Sequence, residues 1–337
     1  MTEEPPITPP PLPLPLTVAP PWPPLVSPPP LPVPPPPRVW TALTLAGISI
    51  PASLTVAGIV QIIAMVALGA FKPGAKSLDL TGTIQRIIEQ PWGPAALLLP
   101  CQFTMLAAVL GAAWLSPHRF GPRLGYTRSA LPGWTLPLLL GGTLFAGGLG
   151  GLLTQAFFTE PGPSQRLMIR MLQGVSGPGL VALAILICVI PPVVEETLFR
   201  GYLQRRLLQR WHPVTAIATS SAFFTAAHFE PAHMLGVIPV GVWLGVVAWR
   251  CGALWPAMLC HAAQNSLAVW SMRHADLTQS GLSAQDLIAL AVTGLLAAGA
   301  VAAMLRHPPT ATRVATVGSP VSPLQEPPPP QSQGAGT

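Results

Sequence analysis

The sequence predicts an all-α fold, a polytopic membrane bundle of about eight transmembrane helices, and three observations carry that prediction. Half of the 337 residues are hydrophobic and only 8% are charged, far too few for a soluble domain of this length. Apolar runs close to the roughly 20 residues that cross a bilayer recur along the middle of the chain. Proline collects at the ends, with 19 of 45 inside residues 1–37 and eight from Pro308 to Pro330, which sets both ends apart as tails.

Residues 1–38 are expected to form a disordered, Pro-rich cytoplasmic tail, because proline removes backbone donors and the stretch lacks apolar bulk to bury. Residues 39–178 hold the first transmembrane helices, with spans at about 42–70, 92–115 and 131–157. Residues 179–271 carry four more, at about 179–203, 214–229, 233–249 and 252–271, the last three short or joined by tight turns. Residues 272–306 supply the last span, near 285–305, and residues 307–337 a second Pro-rich tail. Either tail could dock a proline-binding partner, but a solvated spacer is the plainer reading.

Charge sets the expected orientation. Eleven arginines (Arg38, Arg119, Arg123, Arg128, Arg200, Arg205, Arg206, Arg210, Arg250, Arg306 and Arg313) fall on one side of these spans, and six basic residues (Lys72, Lys76, Arg86, Arg166, Arg170 and Arg273) on the other. The richer side reads as cytoplasmic, which puts both termini there, in the plasma (inner) membrane. The net charge of +6 is scattered between apolar segments with no basic stripe, so no nucleic-acid partner is expected. Membrane lipids are the expected surroundings. Cys101, Cys188, Cys251 and Cys260 show no metal-ligand spacing and read as small core residues. The sequence shows neither a signal-peptide pattern nor a CaaX or myristoylation motif, so helices should provide the anchoring.

Against this background the segment PPVVEETLFRGYL, Pro191 to Leu203, is the point of tension. A carboxylate at mid-bilayer costs at least ~2.5–3.5 kcal/mol, so two adjacent ones require pairing or a wet cavity. Glu196 and Arg200 are four apart with the acid first, the favourable order for an ion pair on one helix face. Glu195 sits about 100° round the helix, without that partner and free for chemistry. Pro191 and Pro192 remove two intrahelical donors and leave the carbonyls of Ile187 and Cys188 to be satisfied by neighbours or water.

Two later segments offer partners. Glu195 lies 17 residues before His212 and His228 lies 16 after it. With a hairpin at Trp211-His212-Pro213, both would stand about 25 Å from the turn on antiparallel helices. His261 and Asn265, four apart in CHAAQNSLAVW, share a helix face that must point away from lipid. Together Glu195, His228, His261 and Asn265 make a hydrolytic set: a carboxylate base, imidazoles to orient water or bind a metal, and an amide donor for an oxyanion. In HFEPAH, the histidines His228 and His233 are five apart with Pro231 between, which is not the zincin pattern, so His233 reads as interfacial. Ser220, Ser221 and Ser266 lack a nucleophile-elbow context. Gly241 and Gly245 read as a close helix-packing step.

These residues resemble the CPBP family, which includes CAAX prenyl protease 2 (the type II CAAX endopeptidase) and bacterial relatives linked to bacteriocin processing and immunity. EExxxR is met by Glu195, Glu196 and Arg200, FxxxH by Phe224 and His228, and HxxxN by His261 and Asn265, in order, within residues 179–271. The resemblance implies that Glu195 and His228 activate water, that His261 and Asn265 stabilise the oxyanion, and that Glu196 and Arg200 hold the glutamate helix. It also implies a candidate zinc set, Glu195, His228 and His261 with a fourth position open, although a glutamate-activated water needs no metal. The expected function is intramembrane hydrolysis of a peptide bond near the cytoplasmic face, in a membrane-associated or prenylated peptide or protein. A non-catalytic immunity or scaffold protein is the alternative, and a transporter relaying protons through Glu195 and His228 a third.

Overall fold

The computed structural model describes residues 38–69, 80–115, 120–275 and 283–307. Both Pro-rich tails, Lys72, Lys76, Arg119 and Arg313 lie outside the described residues. Every regular element described is helical: α1 (Val39–Ala67), α2 (Leu80–Ile88), α3 (Gly93–Trp114), α4 (Phe120–Leu124), α5 (Leu136–Phe157), α6 (Pro163–Gly174), α7 (Gly177–Cys188), α8 (Ile190–Glu196), α9 (Arg205–Leu207), α10 (Pro213–Ala226), α11 (Pro231–Cys251), α12 (Trp255–Arg273) and α13 (Ala284–Arg306). A π-helical stretch, Thr197–Gln204, joins α8 to α9.

Local sequence explains where these helices begin. Helices α3, α5, α6, α7, α10, α11 and α12 each carry proline in the first turn, where the missing N–H costs nothing and the fixed φ suits the helix. Helix α13 starts instead on a capping box, Ser283 and Asp286 each bonding the other's backbone.

Six stretches among the described residues are long and apolar enough to cross a membrane: Val39–Ala67, Gly93–Trp114, Gly133–Phe157, Gly177–Leu207, Pro231–Cys251 and Ala284–Arg306. That is two fewer than the eight expected. The two that fall short have physical reasons. Helix α10 has 14 residues, about 21 Å, against a core of roughly 30 Å. Helix α12 has 19, but His261, Gln264, Asn265 and Ser266 make it too polar. Helix α12 carries His261 and Asn265, and His228 lies two residues beyond the end of α10. Many large side chains, among them Ile48, Ile63, Val181 and Leu295, face outward, as lipid-facing residues do in a chain that is an integral membrane protein.

The interior has two main apolar clusters. One joins α1, α3, the π stretch and α10 through Val109, Leu198, Phe199, Leu203 and Phe224. The other joins α5, α11, α12 and α13 through Leu139, Leu244, Val247, Cys260 and Ala300. In the second, backbones touch: a Cβ on Gly150 of α5 would lie 1.9 Å from the carbonyl oxygen of Gly236 in α11, so only glycine fits. All four cysteines are free, and three are buried. The ion-bearing stretch 190–204 contributes Val194, Leu198, Phe199, Tyr202 and Leu203 to the first cluster.

The basic loops gather at one end of the bundle. Arg205 donates to the carbonyls of Gly252 and Pro122, Arg206 to the hydroxyl of Thr41, and Arg250 to the carbonyl of His307. At the other end Glu230 meets Ser164, and Arg273 meets the end of α6.

Candidate active site

The break anticipated at Pro191 and Pro192 is present. Helix α7 stops at Cys188 and α8 restarts at Ile190, with Val189 at φ −116° between them. The amide of Asn265 donates to the freed carbonyl of Ile187 at 2.9 Å. A side chain of the hydrolytic set thus satisfies the acceptor that proline leaves without its helical donor.

Glu196 and Arg200 form the expected pair at 3.0 Å, and both side chains are fully buried. Such burial is tolerable only when the remaining charge is hydrogen-bonded. Arg200 accordingly donates its second Nη to the carbonyl of Gly241 at 2.9 Å and lies over the Phe224 ring, 4.3 Å from its centroid. Four residues on, Gln204 donates to the carbonyl of Gly245 at 2.8 Å. The two bonds advance in step, so the π stretch and α11 run parallel and close. The Gly241–Gly245 step predicted for close packing makes this approach. The π stretch itself was not legible in the sequence; such widened turns are rare and occur often at functional sites.

Glu195 faces a different surrounding. Its side chain keeps 13% exposure, and Oε1 accepts from Nε2 of Gln102 in α3 at 2.9 Å. Oε2 lies 4.0 Å from Nε2 of His261. That spacing is too long for a direct hydrogen bond, yet a single water beside the pair could reach both. The other nitrogen of His261, Nδ1, is 3.0 Å from Oε1 of Glu196. A carboxylate only accepts, so Nδ1 carries the proton and Nε2 is turned to Glu195.

Phe224 organises the imidazoles. Its ring stands edge-on to His228 at 5.0 Å and to His261 at 5.6 Å between centroids. Nδ1 of His228 lies 2.9 Å from the carbonyl oxygen of Phe224, one turn earlier. A carbonyl also only accepts, so His228 keeps Nδ1–H and leaves Nε2 without a hydrogen. Glu195, Glu196, Arg200, Phe224 and His261 thus form one contact network, His228 joins it through Phe224, and Asn265 stands one turn beyond His261.

Three features differ from expectation or escaped it. His233 is exposed, and its ring packs against that of His228 at 4.5 Å between centroids, a contact the spacing did not show. Gln102 was missed, although a lone amide in an otherwise apolar span is the same signal that marked Asn265. The candidate zinc set is not assembled: among the described residues no three His, Cys, Asp or Glu side chains are placed to hold a metal. No step is therefore derived through a metal. Ser220 donates to the carbonyl of Phe199 at 2.8 Å, a structural use.

A family model for Rce1-like type II CAAX prenyl endopeptidases matches residues 177–267, from the start of α7 to the middle of α12. No curated protein and no solved structure matches the chain significantly.

Proposed function

We propose that this chain, whose residues 177–267 match a family model for Rce1-like type II CAAX prenyl endopeptidases, is an intramembrane endopeptidase that hydrolyses a peptide bond with water activated by Glu195 and His228. The observation that carries the reading is the division between the two glutamates. Glu196 is neutralised by Arg200 and accepts a hydrogen bond from His261, while Glu195 is oriented through one oxygen by Gln102 and offers the other towards Nε2 of His261.

In this reading a water held at Oε2 of Glu195 gives its proton to the carboxylate, helped by Nε2 of His228, as its oxygen attacks the scissile carbonyl carbon. The oxyanion that forms is met by the second amide hydrogen of Asn265, the first being held by Ile187, and His261 joins it only as the imidazolium, which carries a hydrogen on Nε2 as well as on Nδ1. Glu195 then returns the proton to the leaving nitrogen as the C–N bond breaks. Burial strengthens each of these interactions relative to water. Glu196 and Arg200 act by holding the glutamate helix against α11. The substrate is a peptide or lipidated protein presented from the membrane.

The test is hydrolysis by the purified full chain in detergent, using peptides with and without a prenyl group and mass spectrometry of the products. The reading expects a single new amino terminus, formed faster from one of the two peptide classes. Absence of cleavage in both, with pH-coupled solute flux in liposomes, would favour the proton-relay reading. Absence of both activities would leave the immunity or scaffold role.

A further inference from the structure

Helix α6 is too short and too polar to count among the candidate spans, and it carries Arg166 and Arg170. Its amino-terminal cap, Gly162, has no side chain to satisfy the first amides, so the cap comes from elsewhere. Glu230, in the connection between α10 and α11, lays its carboxylate across that first turn. Oε2 accepts from the backbone N–H of Ser164 at 3.0 Å and also from the Ser164 hydroxyl. A Cβ on Gly162 would lie 1.2 Å from Oε1, so the glycine leaves the space that the carboxylate fills. At the other end of α6, Nη1 of Arg273 donates to the carbonyls of Leu172 and Val175, and Gln173 donates to the carbonyl of Ala275. A cation there matches the unsatisfied end of the helix.

These contacts join two parts of the site. Glu230 is two residues beyond His228, and Arg273 stands two turns beyond Asn265 on the helix that carries His261. The turn between His228 and Glu230 is not self-supporting, because Phe229 is held at φ +56°, a conformation that a bulky L residue keeps only when its surroundings impose it. The local bond within the turn runs from Glu230 N–H to the carbonyl of His228 at 2.6 Å. The tertiary hold is Glu230 on Ser164.

We infer that Glu230 is a positioning residue for His228, using α6 as a brace between the His228 turn and α12. The inference rests on the endopeptidase reading. Glu230 touches no reacting atom; it holds the backbone turn from which the imidazole projects, while Phe224 sets the ring.

The experiment uses the full-length protein with Glu230→Ala, Glu230→Gln, Gly162→Ala and the Glu230→Ala/Gly162→Ala double variant. Glu230→Ala should lower kcat by about tenfold or more with KM within about twofold, as displacements of about 1 Å do. Glu230→Gln, whose amide oxygen still accepts from Ser164, should retain most of kcat. Gly162→Ala should reproduce Glu230→Ala by displacing the carboxylate, and the double variant should lose no more than either alone. Wild-type kcat in Glu230→Ala, a loss confined to KM, or multiplying losses in the double variant would overturn the brace. If Glu230→Ala does not fold, Gly162→Ala replaces it, because a Cβ there displaces the carboxylate from both Ser164 donors, and an unchanged kcat there would overturn the inference. If the wild type itself has no activity, the endopeptidase reading fails while hydrogen exchange still decides on the brace. Glu230→Ala must then speed exchange in both Thr225–Ala232 and Ser164–Leu167, and unchanged exchange in the first stretch would overturn it.

Discussion

Two sides of the helical stretch 190–204 carry glutamates of adjacent number in contrasting surroundings. On one side Glu196 is fully buried, with Arg200 and His261 both donating to Oε1. On the other, Glu195 keeps partial exposure and one protein donor, Gln102, with an oxygen turned towards His261. The first side is a structural ion pair with its charge balanced inside the fold. The second retains acceptor capacity and an accessible face, which is what a base needs. Side-chain identity is the same on both sides; the packing of α3, α10, α11 and α12 makes the difference.

The comparison can be broken first on the buried side. Arg200→Leu removes the partner and leaves Glu196 an uncompensated buried charge, so the folded protein should lose about 3–5 kcal/mol. The loss should appear as a large drop in Tm and in folded yield. An unchanged Tm would mean that Glu196 is neutral or wet, and the contrast between the two sides would weaken.

A smaller effect sharpens the exposed side. Gln102→Leu removes a hydrogen bond to a carboxylate, worth about 1.5 kcal/mol, or roughly a tenfold loss of kcat if Gln102 orients Glu195. Tm should stay within a few degrees, because Glu195 can turn to water. A kcat equal to that of the wild type would remove Gln102 from the account.

Much of this was legible in the sequence, for a physical reason. In an apolar chain each polar residue within a span is conspicuous, so Glu195, Glu196, Arg200, His261 and Asn265 could be picked out and their shared faces deduced from helical spacing. The Pro191–Pro192 break was legible because proline lacks a donor. What escaped depends on contacts distant in sequence. Gln102 is 93 residues from Glu195. The π stretch, Thr197–Gln204, carries no mark in the residue spacing. Glu230 on Ser164 joins a loop to a helix 66 residues away. Six of the eight expected spans meet the length and apolarity of a crossing; of the other two, α10 has 14 residues and α12 carries His261, Gln264, Asn265 and Ser266.

The most direct measurement is a side-by-side comparison of Glu195→Gln and Glu196→Gln, with peptide hydrolysis and Tm determined on the same detergent-purified samples. The account predicts that Glu195→Gln cuts hydrolysis by about 10³-fold or more with Tm little changed, in the range general bases supply. It predicts that Glu196→Gln lowers Tm strongly, because Arg200 is left buried without its counter-charge. Retained hydrolysis in Glu195→Gln, or a Tm loss in that variant as large as in Glu196→Gln, would contradict it.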